Sequence, residues 1–203
     1  MNSALHYGIV LRSYAPYQHK FVLLDRGMGM IDASIAKETR IPRIGHGMLI
    51  SYTIMQNGKY YRLENVNLVA GPAKWVRDDI VFFHHTLELA QAFLSYHQVA
   101  QDVFELFIRL YKPLMIEKSL YFKRCFLCKF FMLLVVCPED EASFSPSFFN
   151  LISSPLDIMV KSQSVFRDTT QISRWLQGCI AIHPDARNLK TMFFLTQMDD
   201  HDA

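Results

Sequence analysis

The sequence predicts an α+β protein, with a small five-stranded β-barrel in residues 1–74 followed by an all-α domain in residues 75–203. Two patterns, one giving way to the other along the chain, carry this reading. Up to Ala70 the apolar residues come in short runs or alternate at period two, as in strands; beyond Pro72 they recur at helical spacing, three and four residues apart. The length of 203 residues also suffices for one large core or two modest ones without metals or disulfides.

The elements follow in order. "ALHYGIVLRS" (4–13) and "QHKFVLLD" (18–25) are apolar, Val-, Ile- and Leu-rich, and are separated by "YAPY", whose Pro16 marks a turn. They predict a hairpin. "GMIDASIA" (29–36) places Met30, Ile31, Ala33 and Ile35 between Asp32 and Ser34, the alternation of a third strand. "GMLISYTIM" (47–55) and "KYYRLENVNLVA" (59–70) are joined by Gln56-Asn57-Gly58, and Asn-Gly between alternating segments signals a tight hairpin. Five short strands with no intervening helix favour a closed or nearly closed barrel, because closure removes unpaired edges.

Beyond the barrel, Ile80, Phe83, Leu87, Leu89, Ala90, Phe93 and Leu94, then Val99, Val103, Phe104, Leu106, Phe107 and Leu110, predict two helices. Asp102 and Glu105 stand early in the second helix and Arg109 and Lys112 late, the order a helix dipole favours. A third helix is predicted over "SLYFKRCFLCKFFMLLVVC", ending at Pro138. "PSFFNLIS", "FRDTTQISRWLQGCIAI" and "ARNLKTMFFLTQM" also read as helical, with Asp168 or Thr169 as a cap and Gly178 as a break.

Charge is unevenly placed. The net charge is +2, but residues 1–77 carry ten Lys or Arg against four Asp or Glu, and residues 78–203 carry eleven against fifteen. A positive N-terminal surface suits a polyanion. There is no basic segment followed by an apolar leader, and "FFMLLVVC" is too short to span a bilayer, so a cytoplasmic protein without membrane contact is expected. Four cysteines, Cys125, Cys128, Cys137 and Cys179, are too few for a disulfide scaffold and are expected reduced.

The chain has no phosphate loop, no dinucleotide fingerprint and no nucleophile elbow. "GMGM" (27–30) precedes a strand rather than a helix, so it reads as a turn and not as a phosphate cradle. "HHTLE" at His84–Glu88 lacks the order of a zinc peptidase, and its histidines read as helix-surface or interhelical groups. "CFLC" has zinc or redox spacing, but lies within an apolar helical run without a second ligand pair, so core cysteines are the simpler reading. No catalytic residues, metal or cofactor are therefore expected.

The basic stretch "KETRIPRIGHG" (37–47) lies between strands three and four. Lys37, Arg40, Arg43 and His46 form a candidate phosphate-binding rim, joined by Arg12, Lys20, Arg26, Lys59 and Arg62. Tyr14, Tyr17, Tyr60 and Tyr61 are candidate stacking platforms; a basic groove with aromatic platforms is how small barrels hold single strands. The alternative is a solvated loop with the tyrosines in the barrel core.

The order of features from "GIVLRSYAPY" to "NLVAGP" resembles the N-terminal OB-fold domain of the RecO family of recombination mediators. Ile9-Val10-Leu11-Arg12-Ser13 matches its opening strand, Gly29-Met30-Ile31 its Gly-x-Ile turn, and Ala36-Lys37 with Arg40 and Arg43 its basic loop. "FFHHTLELAQAFLSYHQVAQDVFELFIRLY" resembles the family's first helices, so the likeness covers residues 1–112, extending to 138 if "CFLCKFFMLLVVCPE" matches the next. Glu38 replaces a family glycine, and the cysteine cluster of many relatives is missing from "PEDEASFSPSFFN". The resemblance implies an N-terminal OB-fold barrel before the helical domain. It also implies binding of single- and double-stranded DNA, annealing of complementary strands, and help in loading recombinase onto strands coated by single-strand-binding protein. The implied partners are a RecR-like protein and the C-terminal tail of single-strand-binding protein. Two alternatives stand beside it: a general nucleic-acid-binding OB module, for RNA or DNA, and a protein-interaction adaptor.

Overall fold

A computed structural model describes residues 4–14, 19–36, 44–57, 60–77, 79–112, 120–138, 143–162 and 169–189. The chain divides into two compact units, Met1–Pro113 and Leu114–Ala203.

In the first unit, β1 (His6–Ser13), β2 (Lys20–Asp25), β3 (Gly29–Ile35), β4 (Leu49–Asn57) and β5 (Tyr60–Ala70) form a closed barrel. The order around it is β1-β2-β3-β5-β4, with β4 returning to β1. All pairings are antiparallel except β3 with β5, where Ala33 faces Tyr61 and Ile35 faces Leu63. This is a five-stranded barrel of the OB type. The β4–β5 pairing reaches Asn57 opposite Tyr60, as the Asn-Gly signal predicts. "GMGM" spans the β2–β3 connection and the first residues of β3, as its turn reading expects.

The barrel interior is filled by Val10, Phe21, Leu23, Ile31, Ala33, Ile35, Ile50, Tyr52, Leu63 and Val66. Ile9, Leu11, Val22 and Leu24, outside this cluster on the same strands, are buried as well, so the outer side of β1 and β2 is covered along these residues, whereas Arg12, Ser13 and Lys20 at the other end stay exposed. The cover comes from the chain that follows: α1 (Lys74–Arg77), α2 (Ile80–Phe93), α3 (Gln101–Ile108) and a 3-10 turn, Arg109–Tyr111. α2 packs on β1. Asp79 starts α2 by accepting from the Phe82 N–H at 3.2 Å. The Tyr111 hydroxyl donates to the Gly47 carbonyl at 2.7 Å, tying the end of the helical segment back to the strands.

Between α2 and α3 the chain is not helical. Leu94 is extended, Tyr96 bridges in parallel to Met30, and the His97 N–H donates to the Met30 carbonyl at 2.9 Å. Residues 96–98 thus run beside the first half of β3, ahead of the point where β5 begins. This close approach requires glycine at position 29, where φ is +73° and any Cβ would strike the Gln98 carbonyl oxygen.

Among the described residues one carboxylate, that of Asp25, is wholly inside the barrel. Asp25 accepts from the Tyr52 hydroxyl at 2.7 Å and from the N–H groups of Gly27 and Met28, each at 2.8 Å. His6 Nδ1 lies 3.2 Å from Oδ2, the oxygen that also accepts from Tyr52, while Oδ1 takes both N–H groups. These contacts offset the desolvation of the buried group and close the β2–β3 turn. Burial, and then the Asp25 charge, push the Tyr52 hydroxyl well above its ordinary range. Gly8 leaves space for that hydroxyl, since a Cβ there would lie 2.6 Å from it.

The second unit contains α4 (Leu120–Leu133), α5 (Pro146–Ser153), α6 (Leu156–Lys161) and α7 (Thr169–Ala181), with α4 packed on the other three. α5 covers the predicted "PSFFNLIS", with Ser145 accepting from Phe148 N–H at 3.2 Å and Pro146 in the first turn. Trp175 is fully buried, with the rings of Phe131 and Phe148 6.4 and 6.2 Å from its own. α7 runs through Gly178 rather than breaking there, because the glycine makes room for Pro138: an added Cβ would lie 2.7 Å from the proline Cβ. The Asp168 cap lies outside the described residues; of the helix predicted over 186–198, Ala186–Asn188 form a 3-10 turn and the residues beyond Leu189 lie outside them. No helix is long and apolar enough to cross a membrane among the described residues.

Two glycines of one turn give a paired test. Gly29→Ala should destabilise the protein by more than about 2 kcal/mol, because it adds left-handed strain to a clash with backbone. Gly27→Ala should be near neutral, since its Cβ would meet only Asp25 Oδ1, at 3.7 Å. Urea denaturation of both variants measures the difference.

Candidate nucleic-acid interface

A single irregularity in β1 decides which residues face outward. Gly8, Ile9 and Val10 pair with Asp25, Leu24 and Leu23, but the next pair is Arg12 with Val22. Leu11 is the extra residue of a β-bulge. In unbroken alternation Arg12 would follow Val10 into the barrel. The slip turns it to the side of Val22, opposite Phe21 and Leu23, where it is exposed. The Leu11 carbonyl accepts from His46 Nε2, so the residue after "RIG" fastens the bulge. The His46 ring lies 5.4 Å from that of His84, and burial is the main cause that lowers its pKa below 6.5. A neutral, hydrogen-bonded imidazole is a positioning group for β1.

Past the bulge, the Tyr14 N–H donates to the Lys20 carbonyl at 3.2 Å, Lys20 lies opposite Ser34, and Ser34 lies opposite Arg62. Tyr14, Lys20, Ser34 and Arg62 therefore make one outward row across four strands, roughly 15 Å at strand spacing. Arg12, Val22 and Asp32 form the adjoining row. The Arg12 guanidinium sits 4.9 Å from the centre of the Tyr14 ring, and Tyr14 is 36% exposed. Tyr60, two residues before Arg62, is 68% exposed. Three cations and two open aromatic rings thus share one face of β1, β2, β3 and β5.

Other sequence candidates lie elsewhere. Arg26 is in the β2–β3 turn, away from the Lys20 end of β2, and pairs with Glu105 at 2.8 Å. Tyr61 packs against the barrel core, its ring 5.7 Å from His97. Lys37, Arg40, Arg43, Lys59 and Tyr17 lie outside the described residues.

Two members of this face were not singled out from the sequence. Asp32 is half-buried on β3, and the Tyr96 hydroxyl donates to its carboxylate. Burial, then that carboxylate, raise the Tyr96 pKa. The alternation in "GMIDASI" already places Asp32 outward; nothing in the helical spacing around Tyr96 signals the extended segment that brings it to β3.

In the second unit Cys125 and Cys128 are buried on α4, as the core reading expects. Burial pushes the Cys125 thiol up to about 12 and raises those of Cys128 and Cys179, which keeps all three protonated at neutral pH. Among the described residues, no three His, Cys, Asp or Glu side chains are grouped to hold a metal ion. No protein-family model matches the chain, and no curated protein matches it.

The lowered pKa of His46 fixes a sign. The unfolded chain binds more protons at this site than the folded one, so the histidine's stabilising contribution is full above pH 6.5 and is lost as pH falls below it. His46→Gln, which retains a donor for the Leu11 carbonyl, should flatten the fall in stability between about pH 7 and 5. Denaturant midpoints across that range check it; an unchanged pH slope would contradict it.

Proposed function

We propose that the protein binds single-stranded nucleic acid across the outward face of β1, β2, β3 and β5. As its resemblance to the RecO family implies, it would serve as a DNA repair and recombination mediator. In this reading it anneals complementary strands and assists recombinase loading on DNA coated by single-strand-binding protein. The supporting observation is the convergence of Arg12, Lys20 and Arg62 with the open rings of Tyr14 and Tyr60 on one face. Cations in such a row neutralise phosphates, and exposed rings accept stacked bases of any sequence, each worth about 1–3 kcal/mol. Annealing needs charge neutralisation and strand juxtaposition rather than a catalytic group, so the proposal is non-enzymatic. Lys37, Arg40, Arg43 and Lys59 extend the proposed cationic surface from sequence alone. Double-stranded DNA, a RecR-like partner and the tail of single-strand-binding protein are proposed as further ligands on the same resemblance.

Oligonucleotide affinity measured against salt tests the face. Replacing Arg12, Lys20 and Arg62 together with alanine should make the single-strand log–log slope shallower by about 2, at about 0.7 per phosphate contact. The thermal transition should survive, because all three side chains are exposed. A parental slope in the folded triple variant would refute the assignment. Wild-type acceleration of annealing on strands coated by single-strand-binding protein is expected; binding without acceleration would leave a general nucleic-acid module.

A further inference from the structure

Asp32 breaks the charge pattern of this face. It occupies the outward row with Arg12, two strands away across Val22, and is half-buried amid groups suited to a polyanion. Among the described residues no ion pair engages it; its partner is the Tyr96 hydroxyl. Tyr96 is itself held in place by the bridge to Met30, and its ring lies 6.2 Å from that of His97. The carboxylate is therefore oriented by a fixed neighbour.

A phosphodiester laid against a carboxylate is repelled, so a strand crossing this face must present something else to Asp32. A carboxylate accepts hydrogen bonds and donates none. Its complement on a nucleotide is an exocyclic amino group such as cytosine N4, whereas thymine offers a carbonyl at the same position. We propose that Asp32, oriented by Tyr96, reads the base edge and selects cytosine over thymine within an otherwise phosphate-binding and stacking surface. This rests on the nucleic-acid reading above and adds a base preference to it.

Fluorescence anisotropy of the full-length chain with labelled oligo-dC and oligo-dT of equal length tests the proposal. Wild-type protein should bind oligo-dC about tenfold more tightly, the scale of one hydrogen bond to a charged group. Asp32→Ala should bring the two affinities together, and Asp32→Asn, which can also donate to thymine, should narrow the ratio as well. Both variants should keep the parental salt slope, since no phosphate contact is removed. Equal wild-type affinities, or a ratio that persists in Asp32→Ala, would overturn the base-reading role while leaving the interface standing. Failure to bind either oligonucleotide at low salt would sink the interface and the base reading together.

Discussion

The one-residue slip at Leu11 is the constraint on which the proposed surface depends. Side chains on a strand alternate without exception, so a single extra residue exchanges the inward and outward sets of everything beyond it. Before the slip, β1 supplies Val10 to the core; after it, Arg12 and Tyr14 face outward beside Lys20. The hydrogen bond from His46 to the Leu11 carbonyl satisfies a backbone acceptor at this irregular point of the ladder. Core packing and outward chemistry are thus set by the same local feature.

The helical segment that follows the barrel completes it. The side chains of Ile9, Leu11, Val22 and Leu24 on the outer side of β1 and β2 cannot be buried by the barrel alone, and α2, residues 96–98 and Tyr111 meet it at Gly47, just ahead of β4, and at Gly29 and Met30 in β3. At Gly47, φ is +72° and a Cβ would strike the Phe83 ring, so the backbone passes directly beneath α2. The compact unit accordingly runs to Pro113 and includes α1 to α3. The same segment carries Tyr96 to the edge of β3, where its hydroxyl donates to Asp32.

The barrel was largely legible because its strands carry period-two alternation and its β4–β5 connection carries Asn-Gly, both of which are local signals. The helices were legible from spacing and from caps such as Ser145 and Pro146. Three things were not. The slip at Leu11 leaves no mark in "GIVLRS", because all of Ile9, Val10 and Leu11 are apolar and either phase looks acceptable. The extended residues 96–98 lie between two helical patterns, where a short non-helical insert does not disturb the apolar count. Gly178 reads as a helix breaker locally, and only the proximity of Pro138 explains it within α7. Among the site residues, Lys20 and Arg62 could be named as basic, but their alignment through Ser34 required the register.

Nucleic acid is proposed to lie across β1, β2, β3 and β5 at the Tyr14–Arg62 row. Amide chemical-shift mapping by NMR, titrating the isotopically labelled protein with a short single strand, addresses it most directly. Shifts are expected to concentrate at Arg12–Tyr14, Lys20, Asp32–Ser34 and Tyr60–Arg62, with Asn67–Val69 and the helices of Leu114–Ala203 little affected. Shifts confined to those helices, with the amides of the Tyr14–Arg62 row unmoved at saturation, would contradict it.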